Sequence, residues 1–380
     1  MNRGCMLFLA VMGVALSLAA PCKAGGGVNV DTGFPAKDVA GMSELAGEVV
    51  PLIKEGSKVM LIAPGLDYYP LFAKAPISVW LIHLTLGRDP LVETQWDGWK
   101  KALPSPADSS SFRDGVITAR IGKADISVSA IPQLPSAVDP DLVILDAGFF
   151  LPLYENEVRG GMIELSMKLF RTLRERKDTG APLLILQPLA DSAFPLQWVY
   201  LGEFWKDLWQ HPEMFREELP LRWKVRKQAE FFAEFGQFEE ATALLEDARS
   251  YFPKDGSIEF QLARLAFWDR ETAVGIRYLN RAVRADRRFL RGYSEFGNYF
   301  ISKERPAAAE MVLRAGLLQD KSDRRLNIQL FKLLLERIET AGGQDPEGER
   351  KDLEDALGLS VPKETRDRAL ILQRKLPISP

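Results

Sequence analysis

"AEFFAEFGQFEEATALLEDARSYFP", residues 229–253, decides half of the fold. Small residues stand at Ala229, Ala241 and Ala248, apolar ones at Phe232, Phe238 and Leu245, a glycine at Gly236, and Pro253 closes the stretch. A step of 34 residues meets Ala263, Gly275, Leu279 and Ala282, and a second step meets Gly297, Ala309, Leu313 and Gly316. Four columns therefore stay in register without a gap: Ala229/Ala263/Gly297, Ala241/Gly275/Ala309, Leu245/Leu279/Leu313 and Ala248/Ala282/Gly316. Small residues at such intervals let helices approach closely, and the apolar residues between them fill the remaining space. One helix pair buries too little surface alone, so pairs of this kind stack.

Over about 222–322 the pattern resembles the tetratricopeptide repeat (TPR) family, whose period is 34 residues with small residues at these spacings and a closing proline. The resemblance implies three helix–turn–helix repeats in an all-α superhelix, whose surface takes a protein or peptide partner. The first repeat carries nearly every signature residue. The second has Arg270 at the turn and Arg287 at the close, and the third has Glu304 and Lys321 there, while both keep the packing positions. Beyond it, "RRLNIQLFKLLLERIETAGG" (324–343) reads as a capping helix with Ile328, Phe331, Leu335 and Ile338 on one face, within a segment spanning 323–343. In residues 344–380, "PEGERKDLEDALGL" and "PKETRDRALILQRKL" are candidates for a further helix pair, but they lack the small-residue columns and the stretch reads as a tail of moderate helical content.

A row of arginines crosses the second repeat. Arg277, Arg281, Arg284, Arg288 and Arg291 are spaced by four, three, four and three, one face of a continuous helix. The helix is expected to end near Asp286, which would put Arg288 and Arg291 on the next turn and helix. Arg277, Arg281, Arg284 and Arg288 are the partner-binding candidates, for an acidic partner or anionic lipid. The plainer reading is a solvated face balanced by neighbouring acids.

From about 28 to 215 the periodicity changes. "KVMLIAP" (58–64), "DLVILDA" (141–147) and "APLLILQP" (181–188) are short, wholly apolar runs closed by turn residues, as in buried strands. "DGVITARIGKADISVSAIP" (114–132) reads as a hairpin around "GKAD". "GGMIELSMKLFRTLRERKD" (160–178) is an amphipathic helix with Ile163, Met167, Phe170 and Leu173 inward. "KDVAGMSELAGEVVPLIKEG" (37–56) reads as helical from Val39 onward, and "ISVWLIHLTLG" (77–87) as helix rather than strand. Apolar strands separated by helices predict a Rossmann-like three-layer α/β domain, its mostly parallel sheet carrying a hairpin at the edge. "FPLQWVYLGEFWKDLWQHPEMF" (194–215) places Trp198, Leu201, Trp205 and Leu208 at helical spacing with Trp209 beside them, a stripe suited to joining this domain to the first repeat.

Ligands of parallel sheets bind outside the strand C-termini. Three loops there carry an acid each: Asp67 in "PGLDYYP", Asp146 in "DAGFF" and Asp191 in "QPLADSAF". Together they could hold a divalent cation or divide acid and base roles, and Tyr68 and Tyr69 could add a wall and hydroxyl donors. Separately, each is a cap or turn residue. No other cofactor is implied. His83 sits in an apolar run and His211 beside a turn. Ser109–Ser111 read as a polar loop, and no nucleophile elbow, P-loop or dinucleotide fingerprint is present.

The first 24 residues read as a secretory signal: Arg3, the apolar run "MLFLAVMGVALSLAA" and a cleavage site with Cys22 and Ala24 at −3 and −1. Cys5 and Cys22 are the two cysteines of the 380-residue chain, so a mature chain from Gly25 has no thiol. The expectation is an exported, periplasmic protein, with lipidation at Cys22 as the alternative and the one route to membrane contact. A net charge of −3 gives no general case for nucleic acid. The sequence thus points to a scaffold or adaptor mediating protein–protein contacts in the cell envelope. Two alternatives stand beside it: a hydrolase-like or metal-dependent enzyme using the strand-edge acids with the repeats as its docking module, and a module holding a small ligand at that edge.

Overall fold

Wholly apolar strands need cover on both faces, and the chain supplies it. A computed structural model describes residues 36–39, 42–65, 68–82, 110–130, 139–150, 162–174, 181–186 and 195–375. The first strand, β1 (Ala36–Val39), is followed by helix α1 (Met42–Leu52), β2 (Lys58–Ile62), a single turn α2 (Tyr69–Phe72) and β3 (Ser78–Ile82). Then come β4 (Ser110–Arg113), β5 (Val116–Ile121), β6 (Ala124–Ser129), β7 (Leu142–Asp146), α3 (Met162–Arg174) and β8 (Leu183–Leu186). The eight strands form one sheet in the order β1-β8-β7-β2-β3-β6-β5-β4. The first six in that order run parallel. β5 and β4 are antiparallel and close one edge.

Alternation along the strands divides the core between two layers. Met60, Ile62, Val143, Leu145, Leu183 and Ile185 meet α3 on one face. Val59, Leu61, Val79, Leu81, Ile144 and Leu184 meet Leu45 and Val49 of α1 and Phe72 of α2 on the other. The domain is the expected three-layer, Rossmann-like arrangement.

Three readings of this half are corrected. "ISVWLIHLTLG" yields β3 over Ser78–Ile82, because a strand buried on both faces has the same unbroken apolar run as a buried helix. Ala36–Val39 is a strand, so Val39 is not part of the helix, and Leu52 at that helix's end is exposed. Ser110 and Ser111 belong to edge strand β4, where the Ser111 hydroxyl lies 2.7 Å from that of Thr118. The overlooked signal is Asp114–Gly115. Both residues take positive φ, 52° and 76°, the tight hairpin turn that an Asp-Gly pair favours.

The all-α half begins with α4 (Tyr200–Gln210), then α5 (Leu221–Glu234), α6 (Phe238–Tyr251), α7 (Gly256–Trp268), α8 (Thr272–Ala285), α9 (Arg291–Ser302), α10 (Pro306–Gln319), α11 (Arg324–Ala341), α12 (Pro346–Gly358) and α13 (Lys363–Lys375). α5–α6, α7–α8, α9–α10 and α11–α12 pack as antiparallel pairs. All twelve positions of the four columns are buried. Gly275 cannot be larger: a Cβ there would lie 2.4 Å from the ring of buried Phe267.

The three turns within pairs are closed identically. Gly236, Arg270 and Glu304, spaced by 34, have φ of 73°, 65° and 54°. The following amide of each reaches back to the same carbonyl: Gln237 N to Phe232 O, Glu271 N to Ala266 O and Arg305 N to Phe300 O, at 2.8–2.9 Å. This is the Schellman closure. Arg270 and Glu304 thus adopt the left-handed conformation that costs nothing at Gly236.

The tail is more regular than its composition suggests. α12 packs on α11, with Leu353, Ala356 and, from α13, Ala369 buried in the array's core. α11 has 18 residues against 12–14 in the helices of the three pairs before it, which shifts the frame and hides this pair from a 34-residue register.

Candidate functional site

β2 and β7 are neighbours, yet β2 pairs onward to β3 on one side and β7 to β8 on the other. Their C-terminal ends therefore flank the switch point of the sheet, where ligands of open α/β sheets bind. Asp146, the last residue of β7, is 7 % exposed. Its Oδ2 accepts from the hydroxyl of Tyr68, which follows the β2 loop and is itself buried. Its Oδ1 accepts from the Gly148 amide at 2.7 Å, which tightens the 3-10 turn Ala147–Phe150. A Cβ on Gly148 would stand 3.0 Å from Asp146 Oδ1 and 3.4 Å from Pro64 Cγ, so the two loops are in contact.

Two of the three expected strand-end loops thus meet, through Tyr68 among the described residues. Asp67, Asp191 and His83 lie outside the described residues. Phe149 and Phe150 belong to the core, with Phe150 stacked 5.2 Å from Trp205. His211 caps α4 at the surface, its Nδ1 3.7 Å from Glu213. Among the described residues no three Asp, Glu, His or Cys side chains are grouped as a metal site.

A second polar centre, unsuspected from the sequence, lies where the sheet domain meets the array. The tryptophan stripe of 198–209 faces mainly the sheet domain: Trp205 Nε1 donates to Ser166 Oγ (2.9 Å) and Trp209 Nε1 to the Ala181 carbonyl (3.1 Å). The same stretch turns other residues to the helices. Leu196 and Val199 join Phe260, Phe289, Tyr293 and Phe296 in the array's core. Tyr200 lies under the guanidinium of Arg226, 4.5 Å from ring centre to Cζ, and its hydroxyl donates to Glu230 at 3.3 Å.

Arg226 is 1 % exposed. Its Nη2 donates to Ser257 Oγ at 2.7 Å and lies 3.5 Å from Asp255 Oδ2, while Nε and Nη1 have no acceptor among the described residues. Arg222 holds the same Asp255 oxygen at 2.8 Å. Burial alone would raise the Asp255 carboxyl, but Arg226 and Arg222 overcome it and hold the group below the ordinary range. Burial pushes Glu230 up, against Arg226 and the Tyr200 hydroxyl. The alternation of Tyr200, Arg226, Glu230 and Asp255 is a buried ionic clasp between the joining segment and the first two helix pairs.

The arginine row divides as the helix ends. α8 stops at Ala285, and Arg288 sits on the 3-10 turn Arg287–Leu290, bound by its Nε to Asp286 at 2.7 Å. Arg291 opens α9 and holds Glu295 at 2.7 Å. Arg277, Arg281 and Arg284 remain on one exposed side of α8, opposite buried Gly275, Leu279, Ala282 and Val283.

A scan against protein-family models finds no match, and a search of curated proteins finds none.

Proposed function

We propose that the chain is an interaction protein, an exported scaffold or adaptor whose helices α5–α10 are three TPR-type repeats that hold a partner protein in the cell envelope. The observation that carries this reading is the coincidence of two registers at 34 residues: the small-residue columns, and the Schellman turns with their left-handed residue and capping hydrogen bond. Such an array offers extended surface, and its function lies in what that surface meets. Export rests on Arg3, the apolar run after it and the Cys22/Ala24 pattern.

The direct test is affinity capture of the full-length exported protein after mild crosslinking. A stoichiometric protein partner is expected, and its loss in variants that change array surface residues without lowering the melting temperature. Capture of no protein under these conditions contradicts the reading. Mass determination of the mature N-terminus distinguishes cleavage before Gly25 from lipidation at Cys22.

A second reading has one observation in its favour. The Tyr68–Asp146 pair stands at the switch point of the sheet, and its buried carboxylate is held by a phenol from the neighbouring loop. A small ligand bound there, with or without chemistry, should be lost on Asp146→Asn at unchanged array-dependent capture.

A further inference from the structure

We propose that the outward face of α8, carrying Arg277, Arg281 and Arg284, is where the array receives an acidic segment of its partner protein. The inference rests on reading the array as an interaction module and adds where the partner sits and what chemistry it brings. The opposite choice, the face made by the first helices of the pairs, is already taken over the first three pairs. Leu196 and Val199 fill the space beside Phe260, Phe289 and Tyr293, and Tyr200 closes on Arg226 and Glu230. A partner entering there would have to displace part of the chain's own core.

The second-helix side is open. The three arginines lie at i, i+4 and i+7, a row roughly 10 Å long at 1.5 Å per residue. Several other arginines of the array are tightly committed: Arg314 Nε to Glu310 at 2.8 Å, Arg288 to Asp286 at 2.7 Å and Arg368 to Glu339 at 2.7 Å. On α8 the Arg281 Nη1 is 4.0 Å from the nearest Glu259 oxygen, and Arg277 and Arg284 make no ion pair among the described residues. Arg287, just beyond the helix, extends the positive surface with its guanidinium 3.9 Å from Asp320.

The surroundings select the partner. Ala273 and Ala285 continue the row at its two ends and are exposed, and α8 shows no large exposed apolar side chain. A surface with charge and no apolar anchor matches the carboxylates of a protein segment better than a bilayer, whose binding would gain from side chains inserted among the lipids. The neighbouring helix α6 exposes Glu239, Glu240 and Asp247, which repel an acidic segment on that flank and confine it to α8. Complementary charge of this kind sets position and association rate more than it sets final affinity.

The test uses the full-length protein and a fluorescein-labelled helical peptide with Glu at i, i+4 and i+7 on an Ala/Gln scaffold, beside its all-Gln counterpart. Fluorescence anisotropy at low salt should show binding of the Glu peptide and not of the Gln peptide. The triple variant Arg277→Gln/Arg281→Gln/Arg284→Gln should weaken it at least tenfold. The control variant Lys321→Gln/Lys332→Gln/Lys351→Gln, with the same change in net charge, should stay within twofold, and both should keep the wild-type melting temperature. Equal loss in the control overturns the proposal, as does equal binding of the Gln peptide. Binding to vesicles containing anionic phosphatidylglycerol in preference to the peptide also overturns it. So does a wild-type dimer that the α8 variant converts to monomer, since α6 of a second copy would then be the occupant. If the peptide is ignored while wild type and α8 variant capture the same partner, this surface is wrong and the array reading stands. If neither captures a partner, the array reading itself fails.

Discussion

The helical half and the sheet half use sequence differently. In the helices the decisive contacts are local and repeated: Gly275 against Phe267, Leu313 against Gly297, Gln237 back to Phe232. In the sheet domain the contact that forms the candidate crevice joins Tyr68 to Asp146, 78 residues apart. Between them the clasp at Arg226 joins Tyr200, Asp255 and Ser257 across three elements. Repetition makes the first kind of contact visible as a period. The other two depend on strand order and docking, which no local pattern encodes.

The clasp should be the most sensitive point of the comparison, because it belongs to both halves. Asp255→Ala leaves the buried Arg226 charge without its carboxylate and is expected to cost about 3–5 kcal/mol. Chemical denaturation followed by hydrogen exchange at the central strands β2 and β7 should report that loss although the substitution lies in the array. A loss confined to helix-reporting circular dichroism would mean that the halves unfold separately.

Gly275→Ala adds one methyl in a helix and nothing else, yet its Cβ would meet the buried Phe267 ring. The expected cost is about 1–3 kcal/mol, by the same denaturation measurement. At the strand edge, Tyr68→Phe removes one donor to Asp146, and the expected cost is about 1–3 kcal/mol. An equal or larger loss of small-ligand binding with no loss of stability would move function from the helices to the sheet.

The turns give the smallest and cleanest contrast. Arg270→Gly and Glu304→Gly should each gain up to about 1 kcal/mol, and Gly236→Arg should lose a similar amount, because all three positions are left-handed. Thermal melting of the three variants checks the sign at each site. No gain at Arg270 or Glu304 would mean that their side chains contribute contacts that offset the backbone cost.

A pH experiment separates burial from pairing. Burial raises the Glu259 carboxyl against the pull of Arg249 and Arg281. A raised acid favours the folded state when protonated, so its contribution falls as pH rises through the raised value. Glu259→Gln should therefore be the more stable protein at neutral pH, and the difference should close as pH falls below about 4.3, the ordinary glutamate value. Asp255 and Glu310 are held low in the folded state and work in the opposite sense, with stability lost as they are protonated.

The legible parts of the molecule follow from this contrast. The three helix pairs, the strands β2, β7 and β8, the β5–β6 hairpin and helix α3 could be read because each is marked by its own periodicity. β3 could not, since a run buried on both faces has no period to distinguish strand from helix. β4 was legible in principle through Asp114–Gly115. The fourth helix pair was hidden by the longer α11. At the site, Asp146 was legible from its place after an apolar run and Tyr68 as a hydroxyl donor in a neighbouring strand-end loop, but that the two meet depends on strand order. Arg226, the most buried cation among the described residues, looked like any other residue of a charged helix because its partners, the Asp255 carboxylate, the Ser257 hydroxyl and the face of the Tyr200 ring, come from other elements.

Hydrogen exchange of the full-length protein, alone and with its captured partner, compares the two regions in one experiment. The account predicts new protection over 272–291, the α8 face and the turn after it, with no change at 63–68 and 146–150. Protection at the two strand-end loops with none on α8 would contradict it and make the sheet edge the working site.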